Sequence, residues 1–200
     1  MFDTGALMCY NIMNMIMGHY DLCRILNVFG GVGEEMIILG IDPGYAIVGW
    51  GVIEYSGMKF KTLGYGSIRT PAGMPIVDRL ERIYLGMNEI IEKYKPDQMA
   101  IEELFFNTNS TTAIVVAEAR GIILLSAKQK GIEIAEYTPL QVKQAVVGYG
   151  RAEKKQVITM VTTLLNLPAP PKPDDTADAL AIAVCHGHSG GSRLAQYYNK

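Results

Sequence analysis

The sequence predicts an α/β fold in which a mixed β-sheet carries helices on both faces. Three segments with strand-like apolar patterns come first and are joined by tight turns, which is typical of an antiparallel meander. Helical apolar spacing then alternates with short apolar runs, and this order is typical of strands that are connected through helices.

The predicted elements follow one another from residue 36 onwards. The meander is expected at 36–42, 46–55 and 58–69, with the turns DPGY and YSGM between its strands. A helix at about 75–94 follows, and Pro96 prevents its continuation. The remaining predicted elements are strands at 98–103 and 132–137 and helices at about 109–130, 139–146, 152–166 and 174–186.

Residues 1–35 differ from the rest of the chain. Their Met-rich stretch MCYNIMNMIMGHY has no clean helical or strand periodicity. They carry a net charge of −3, whereas residues 36–200 carry +1 and the whole chain −2. We interpret 1–35 as an atypical N-terminal extension, either accessory or not natively translated, with Met36 as the functional start. A partner-binding helix in this extension is the alternative.

The cysteines and the apolar segments indicate where the protein acts. Cys9, Cys23 and Cys185 show no paired spacing, which favours a reducing compartment. The N-terminus lacks the basic region of a signal peptide. The apolar segment 36–53 contains Asp-Pro-Gly in its middle, which would leave polar groups unsatisfied in lipid. The sequence therefore predicts a cytoplasmic protein with no membrane partner.

Four carboxylates stand at the ends of predicted elements. Asp42 ends the first strand, Glu102 lies at the end of the strand 98–103, and Asp175 and Asp178 begin the last helix. Each has a structural explanation by itself, since Asp favours turns and helix starts. Asp175 and Asp178 are three residues apart and so share one helix face. The small residues ALAIAV that follow would let this helix lie close to the sheet.

Four carboxylates in one place would repel each other, so the pattern calls for a cation. The short segments that carry these acids contain no lysine or arginine and no Cys/His cluster for zinc. The HxH of His186 and His188 has no third ligand. Ligands that are all oxygen favour Mg²⁺ or Mn²⁺, with room for two ions. Such an ion pair, about 3.5–4 Å apart, suits in-line displacement at phosphate.

Four motifs also resemble the RuvC family of Holliday-junction resolvases, whose RNase H-like fold has a mixed five-stranded sheet. The motifs, in chain order, are ILGIDPG, AIEELFF, QVKQAVVGYGRAEK and DDTADALAIA. The resemblance covers about 36–200 and leaves 1–35 without a counterpart. It implies an RNase H-like nuclease domain at 36–200 in which Asp42, Glu102, Asp175 and Asp178 are catalytic and bind the metal.

The resemblance implies a metal-dependent crossover junction endodeoxyribonuclease. Such an enzyme resolves four-way DNA junctions in recombination and repair by paired phosphodiester hydrolysis. It would use Mg²⁺, two ions per active site, with Mn²⁺ as a substitute. The implied partners are junction DNA, a second copy in a homodimer, and a junction-binding and branch-migration motor complex of the RuvA–RuvB type.

Five further residues are expected to contact DNA. The resemblance implies that Phe105 stacks on bases at the opened junction and that Lys143 and Lys154 lie near the cut. From the residues alone, each of these lysines would be an ordinary solvated side chain. Arg69 and Arg151 are expected to add to a phosphate-binding surface. Once metal neutralises the four acids, 36–200 has a net charge of +5, which suits a DNA partner.

Two other functions are compatible with parts of the pattern. One is an RNase H-like nuclease with an RNA-processing substrate, which cleavage of junctions against RNA hairpins would distinguish. The other is an actin-like or sugar-kinase-type ATPase, which also begins with an aspartate–glycine turn after its first strand. That fold needs a second similar domain and a second phosphate loop, for which this chain is short.

Overall fold

A computed structural model describes residues 35–103 and 110–190 of the chain. The predicted elements are confirmed with small changes of bounds, the largest being the last helix, which continues to Gly190. The elements are β1 (Met36–Asp42), β2 (Ile47–Ser56), β3 (Lys59–Arg69), α1 (Ile76–Tyr94), β4 (Gln98–Glu102), α2 (Ser110–Gln129), β5 (Glu133–Tyr137), α3 (Pro139–Val147), α4 (Lys154–Leu164) and α5 (Asp174–Gly190).

The five strands form one mixed sheet in the order β3-β2-β1-β4-β5. β2 pairs antiparallel with both β1 and β3, whereas β4 pairs parallel with both β1 and β5. The strands β1, β3, β4 and β5 therefore run in the same direction and end at the same edge of the sheet. We call this the carboxyl edge. The predicted α/β fold with a mixed five-stranded sheet is confirmed.

Each face of the sheet is covered by its own set of helices. Alternation along β1 sends Ile38 into a core with α3, α4 and α5, and sends Leu39 into a second core with α1 and α2. Both side chains are fully buried. We call these two sides the α5 face and the α1–α2 face.

Helix α5 lies unusually close to the sheet because glycines on β1 and β2 face it. A Cβ on Gly40 would collide with the backbone oxygen of Ala179 and stand 2.8 Å from the Ala183 Cβ. A Cβ on Gly51 would stand 2.6 Å from Leu180 Cδ2. The expectation that small residues let the last helix approach the sheet is confirmed, and larger side chains would force the two apart.

Several predictions concern residues outside the described ranges. The N-terminal extension up to residue 34, Phe105 and the cysteines Cys9 and Cys23 all lie there. Cys185 is described and is a buried free thiol. No helix in the described ranges is long and apolar enough to cross a membrane.

Candidate active site

The four predicted acids meet at the carboxyl edge of the sheet, on the α5 face. Asp42 is the last residue of β1, and Glu102 is the last residue of the neighbouring strand β4. Ile41 and Ile101 are register partners and pack on the α1–α2 face, so the residues that follow them project towards α5. Two strands thus deliver one carboxylate each to the same side of the sheet.

The start of α5 supplies the other two acids. Asp42 is paired with Gly49 on β2, and a Cβ on Gly49 would collide with the backbone oxygen of Asp175. The start of the helix is also tied to β3, because Thr176 donates a hydrogen bond of 3.1 Å to the Gly66 carbonyl. The missing side chain at Gly49 therefore lets the first turn of α5 rest beside Asp42.

Burial and mutual repulsion make Asp42, Glu102 and Asp178 hard to ionise. Burial raises the pKa of Asp42 to about 8, and the negative charges of Glu102, Asp178 and Asp175 add to this shift. Burial also raises the pKa of Glu102, with a further contribution from the charge of Asp178. The pKa of Asp178 is raised for the same first reason. The site is consequently short of positive charge.

Lys154 is the cation that faces these acids. It is the first residue of α4, and its Nζ lies 2.9 Å from Asp178 Oδ2 and 3.7 Å from Asp174 Oδ2. Its charge lowers the pKa of Asp42, Glu102 and Asp178 against the effect of burial. Burial would lower the pKa of Lys154 itself, but the hydrogen bond to Asp178 and the surrounding carboxylates raise it. This pairing could not be predicted from local sequence patterns, since 24 positions separate Lys154 from Asp178.

The donor set fits a hard divalent cation in its chemistry. All four groups offer carboxylate oxygens, which are the ligands that Mg²⁺ and Mn²⁺ prefer. In residues 35–103 and 110–190, no three Asp, Glu, His or Cys side chains stand close enough to hold one ion as they are oriented. A bound cation would offset the repulsion among the carboxylates, which adds to the effect of burial on the pKa of Asp42.

The other residues that were predicted to contact DNA lie on different elements of the fold. Arg69 ends β3 and is exposed, with its Nε donating to Ser67 Oγ at 3.3 Å. Arg151 is exposed in the turn before α4, and Lys143 is half-buried on α3. Phe105 lies outside the described residues. Arg69 thus lies at the carboxyl edge, where Asp42 and Glu102 also lie. Arg151 is three residues before Lys154.

A buried arginine that the sequence analysis missed fixes the turn after Asp42. Arg79 donates to Thr70 Oγ1 at 3.0 Å and to the Pro71 carbonyl at 2.6 Å, and its guanidinium stacks on the Tyr45 ring. Thr70 Oγ1 in turn donates to the Tyr45 carbonyl at 2.7 Å. The burial of Arg79 could have been predicted from its spacing, because it precedes the core residues Ile83 and Met87 at four-residue intervals.

The two histidines of the HxH pattern are engaged in hydrogen bonds. His186 is buried, with Nδ1 2.8 Å from Tyr137 Oη and Nε2 2.6 Å from Gln98 Oε1. His188 Nδ1 lies 3.2 Å from the Ala145 carbonyl. Burial lowers the pKa of His186. These contacts tie the second half of α5 to the sheet and to α3.

Comparison with known sequences places this arrangement in a family. The profile of the crossover junction endodeoxyribonuclease RuvC family matches residues 38–186. A crossover junction endodeoxyribonuclease RuvC from Alkaliphilus metalliredigens is 64% identical over 155 residues, which cover 78% of this chain and 94% of the relative. The matched region contains all four acids.

Comparison with solved structures agrees with the sequence comparison. Thermus thermophilus RuvC in complex with a Holliday junction substrate superimposes with a TM-score of 0.74 at 36% identity, covering 78% of this chain and 94% of that one. The yeast mitochondrial Holliday junction resolvase Ydc2 gives a TM-score of 0.58 at 12% identity, covering 90% and 92%, and supports the fold alone.

Proposed function

The chain belongs to the RuvC family of crossover junction endodeoxyribonucleases, and we propose that it resolves four-way (Holliday) DNA junctions in recombination and repair. The observation that carries this proposal is the meeting of four carboxylates from β1, β4 and α5 at one edge of the sheet. The Thermus thermophilus relative was solved with a Holliday junction, which supports the same substrate here. The reaction is hydrolysis of phosphodiester bonds.

Asp42, Glu102, Asp175 and Asp178 are the proposed catalytic residues and would hold Mg²⁺, two ions per site, with Mn²⁺ as a substitute. When bound, such ions supply positive charge that activates water and stabilises the leaving oxygen in an in-line displacement at phosphorus. The contribution of the fold is to position these four carboxylates. Asp42 and Glu102 are fixed by the pairing of β1 with β4, and Gly49 lets α5 bring Asp175 beside Asp42.

The cations around the site are proposed to hold the DNA backbone. Arg69 and Arg151 are exposed, and we expect both to contact phosphates of the bound DNA. Lys143 and Lys154 stand on α3 and at the start of α4 and would contact phosphates near the cut. Such contacts fix the position of the duplex and carry no sequence preference.

A second copy and a motor complex are the proposed protein partners. Helix α2 exposes Ile114 and Leu125, whose spacing of eleven residues puts them on one face of the helix. A Cβ added at Gly121 on the same helix would meet nothing within 4 Å. This apolar face supports a homodimer, whose two sites would cut two strands of the junction. A RuvA–RuvB-type complex would deliver junctions, and the proposed location is the cytoplasm.

Neither rival function is favoured. Membership of the RuvC family and the likeness to a junction-bound relative both point to a DNA junction, so an RNA-processing nuclease and an actin-like or sugar-kinase-type ATPase have no specific support. Cleavage of RNA hairpins would distinguish the first rival, and a nucleotide-binding assay would distinguish the second.

Cutting of a labelled synthetic four-way junction by the full-length protein, with and without Mg²⁺, tests the proposal. Asp42→Asn should lower the cleavage rate by orders of magnitude, because it removes a charged ligand while keeping the size of the side chain. Junction affinity should be kept, since one negative charge facing phosphate is lost. The matched control is Asp174→Asn, an exposed aspartate beside the site, which should cut within a few-fold of wild type. An Asp42→Asn protein that cuts normally would contradict the assignment.

Phe105→Ala tests the proposed base contact separately from the chemistry. Stacking on an aromatic ring contributes about 1–3 kcal/mol per base, so its loss should slow cutting of a fully paired junction. The deficit should shrink on junctions that are unpaired at the crossover, because unstacking costs least there. Cleavage rates on the two substrates, compared with those of wild type, measure the effect. An equal deficit on both would contradict a stacking role.

A further inference from the structure

The acid cluster already has a positive partner in the protein itself. Lys154 Nζ lies 2.9 Å from Asp178 Oδ2, with side-chain exposures of 53% and 33%, and 3.7 Å from the more exposed Asp174 Oδ2. The same ammonium group interacts with Asp42, Glu102 and Asp175 through its charge. It therefore stands in the field of every proposed metal ligand.

We propose that Lys154 is a displaceable counter-ion. Its ammonium group pairs with Asp178 until a divalent cation binds, and it then pairs with a DNA phosphate. This inference rests on the proposed function, because it concerns the same acids. It adds a specific exchange: one carboxylate changes its partner from an ammonium to a metal ion, and the freed ammonium changes its partner from a carboxylate to a phosphate.

Competition follows from the position of the ion pair. An ion bound by Asp178 and a neighbouring acid would come within a few ångströms of the ammonium, where two positive charges repel strongly at reduced dielectric. Lys154 contacts Oδ2, one of the two oxygens that Asp178 can offer to an ion. We therefore expect metal binding and the Lys154–Asp178 pair to compete for Asp178.

The lysine is also able to leave at low cost. About half of its side chain is exposed, and an ion pair in that setting contributes little net stability. Its flexible four-carbon stem can turn towards solvent or towards an incoming phosphate. Lys154 is the first residue of α4, where the helix dipole disfavours a positive charge, so the carboxylates account for its position in the free protein.

The exchange predicts that metal and junction reinforce each other's binding. A metal ion releases Lys154 for the phosphate, and by reciprocity a phosphate that engages Lys154 releases Asp178 for the metal. Neutral Gln at position 154 would remove the competitor and this link together. Lys155 is the natural control, since it is exposed on the same helical turn and makes no ion pair within the described residues.

The first measurement is Mn²⁺ binding without DNA, followed by the electron paramagnetic resonance signal of free Mn²⁺. Lys154→Gln should bind Mn²⁺ about three- to fivefold more tightly than wild type, which is the scale of a partly exposed ion pair. Lys155→Gln makes the same charge change and should stay within about twofold of wild type. Thermal unfolding of each variant establishes that it is folded.

The second measurement is junction affinity with and without Ca²⁺, in samples checked for an intact junction. In wild type and Lys155→Gln, Ca²⁺ should tighten junction binding by a similar factor. In Lys154→Gln this factor should fall at least threefold, because the neutral side chain cannot form an ion pair with phosphate.

Each outcome decides the matter. If Lys154→Gln binds Mn²⁺ no more tightly than Lys155→Gln, or keeps the full Ca²⁺ effect on junction binding, the exchange is wrong while the metal site stands. If wild type binds no Mn²⁺ at all, the proposed metal centre fails and the exchange fails with it. Tighter Mn²⁺ binding together with a reduced Ca²⁺ effect supports the exchange.

Discussion

The two faces of the sheet differ in how closely their helices approach the strands. On the α5 face, glycines at positions 40, 49 and 51 face a helix rich in alanine. The backbone of the strands there lies very close to the backbone of α5. On the α1–α2 face, large fully buried side chains such as Leu39, Ile41 and Met87 fill the space between sheet and helices. Only the first face carries the four acids.

This difference separates the protein's stability from its site geometry. Large aliphatic side chains each bury much apolar surface, so the α1–α2 face contributes strongly to the free energy of folding. The glycines of the α5 face bury little side-chain surface of their own. They set the distance between α5 and the sheet, and that distance decides whether Asp175 and Asp178 reach Asp42 and Glu102.

Gly40→Ala should give the largest effect on activity among changes outside the acids. The new methyl group would collide with the Ala179 backbone oxygen, so α5 must move away from β1. We expect a loss of about 1–3 kcal/mol in the free energy of unfolding and at least a tenfold loss of junction cleavage at temperatures where the protein is folded. Circular dichroism and cleavage rates on the same samples measure both.

Met87→Ala is the matched change on the other face. The side chain is fully buried on α1, and its truncation should cost about 2–5 kcal/mol of unfolding free energy. The folded fraction should still cut junctions within about twofold of wild type, because α5 does not move. A variant of Gly40 that cuts normally while folded, or a Met87 variant that is folded and inactive, would break the separation of the two faces.

A pH titration of stability sharpens the comparison from the acid side. The pKa of Asp42 is raised from 3.8 to about 8 in the folded protein, so between these values the folded chain binds more protons than the unfolded one. Stability of the metal-free protein should therefore fall as pH rises from 4 to 8, by up to about 1.4 kcal/mol per pH unit from this group. Asn at position 42 removes this contribution.

The measurement is the unfolding midpoint of wild type and Asp42→Asn in EDTA across this range. The difference should be small near pH 4 and should grow to several degrees in favour of Asp42→Asn near pH 8. Mg²⁺ should raise the midpoint of wild type at pH 8 more than that of the variant. A difference that does not change with pH would show that Asp42 ionises normally in the folded state.

The smallest effect is expected from deletion of residues 1–35. Every proposed catalytic residue and every strand of the sheet lies after residue 35, and the family profile matches from residue 38. Cleavage of the four-way junction by 36–200 should stay within a few-fold of the full chain. Loss of solubility or of activity on deletion would show that the extension takes part in the fold.

The sequence predicted most of the framework because strands and helices follow from local patterns. Alternation and turn residues located β1 to β3, and the carboxylates at the ends of β1 and β4 were identified as a group. The partners of individual charged side chains could not be predicted, because they depend on packing between segments that are distant in the sequence. Lys154 was expected to face DNA and is paired with Asp178, and Arg79 bonds to the loop that follows β3.

The parallel pairing of β1 with β4 and the late position of α5 also determine when the site can exist. Asp42 meets a strand about sixty residues further on, and both meet a helix that begins at Asp174. On the ribosome, the growing chain therefore lacks two of the four proposed metal ligands at the site until helix α5 has emerged and packed against the glycines of β1 and β2. We therefore expect no DNA cutting by a nascent chain in which α5 has not yet packed on the sheet.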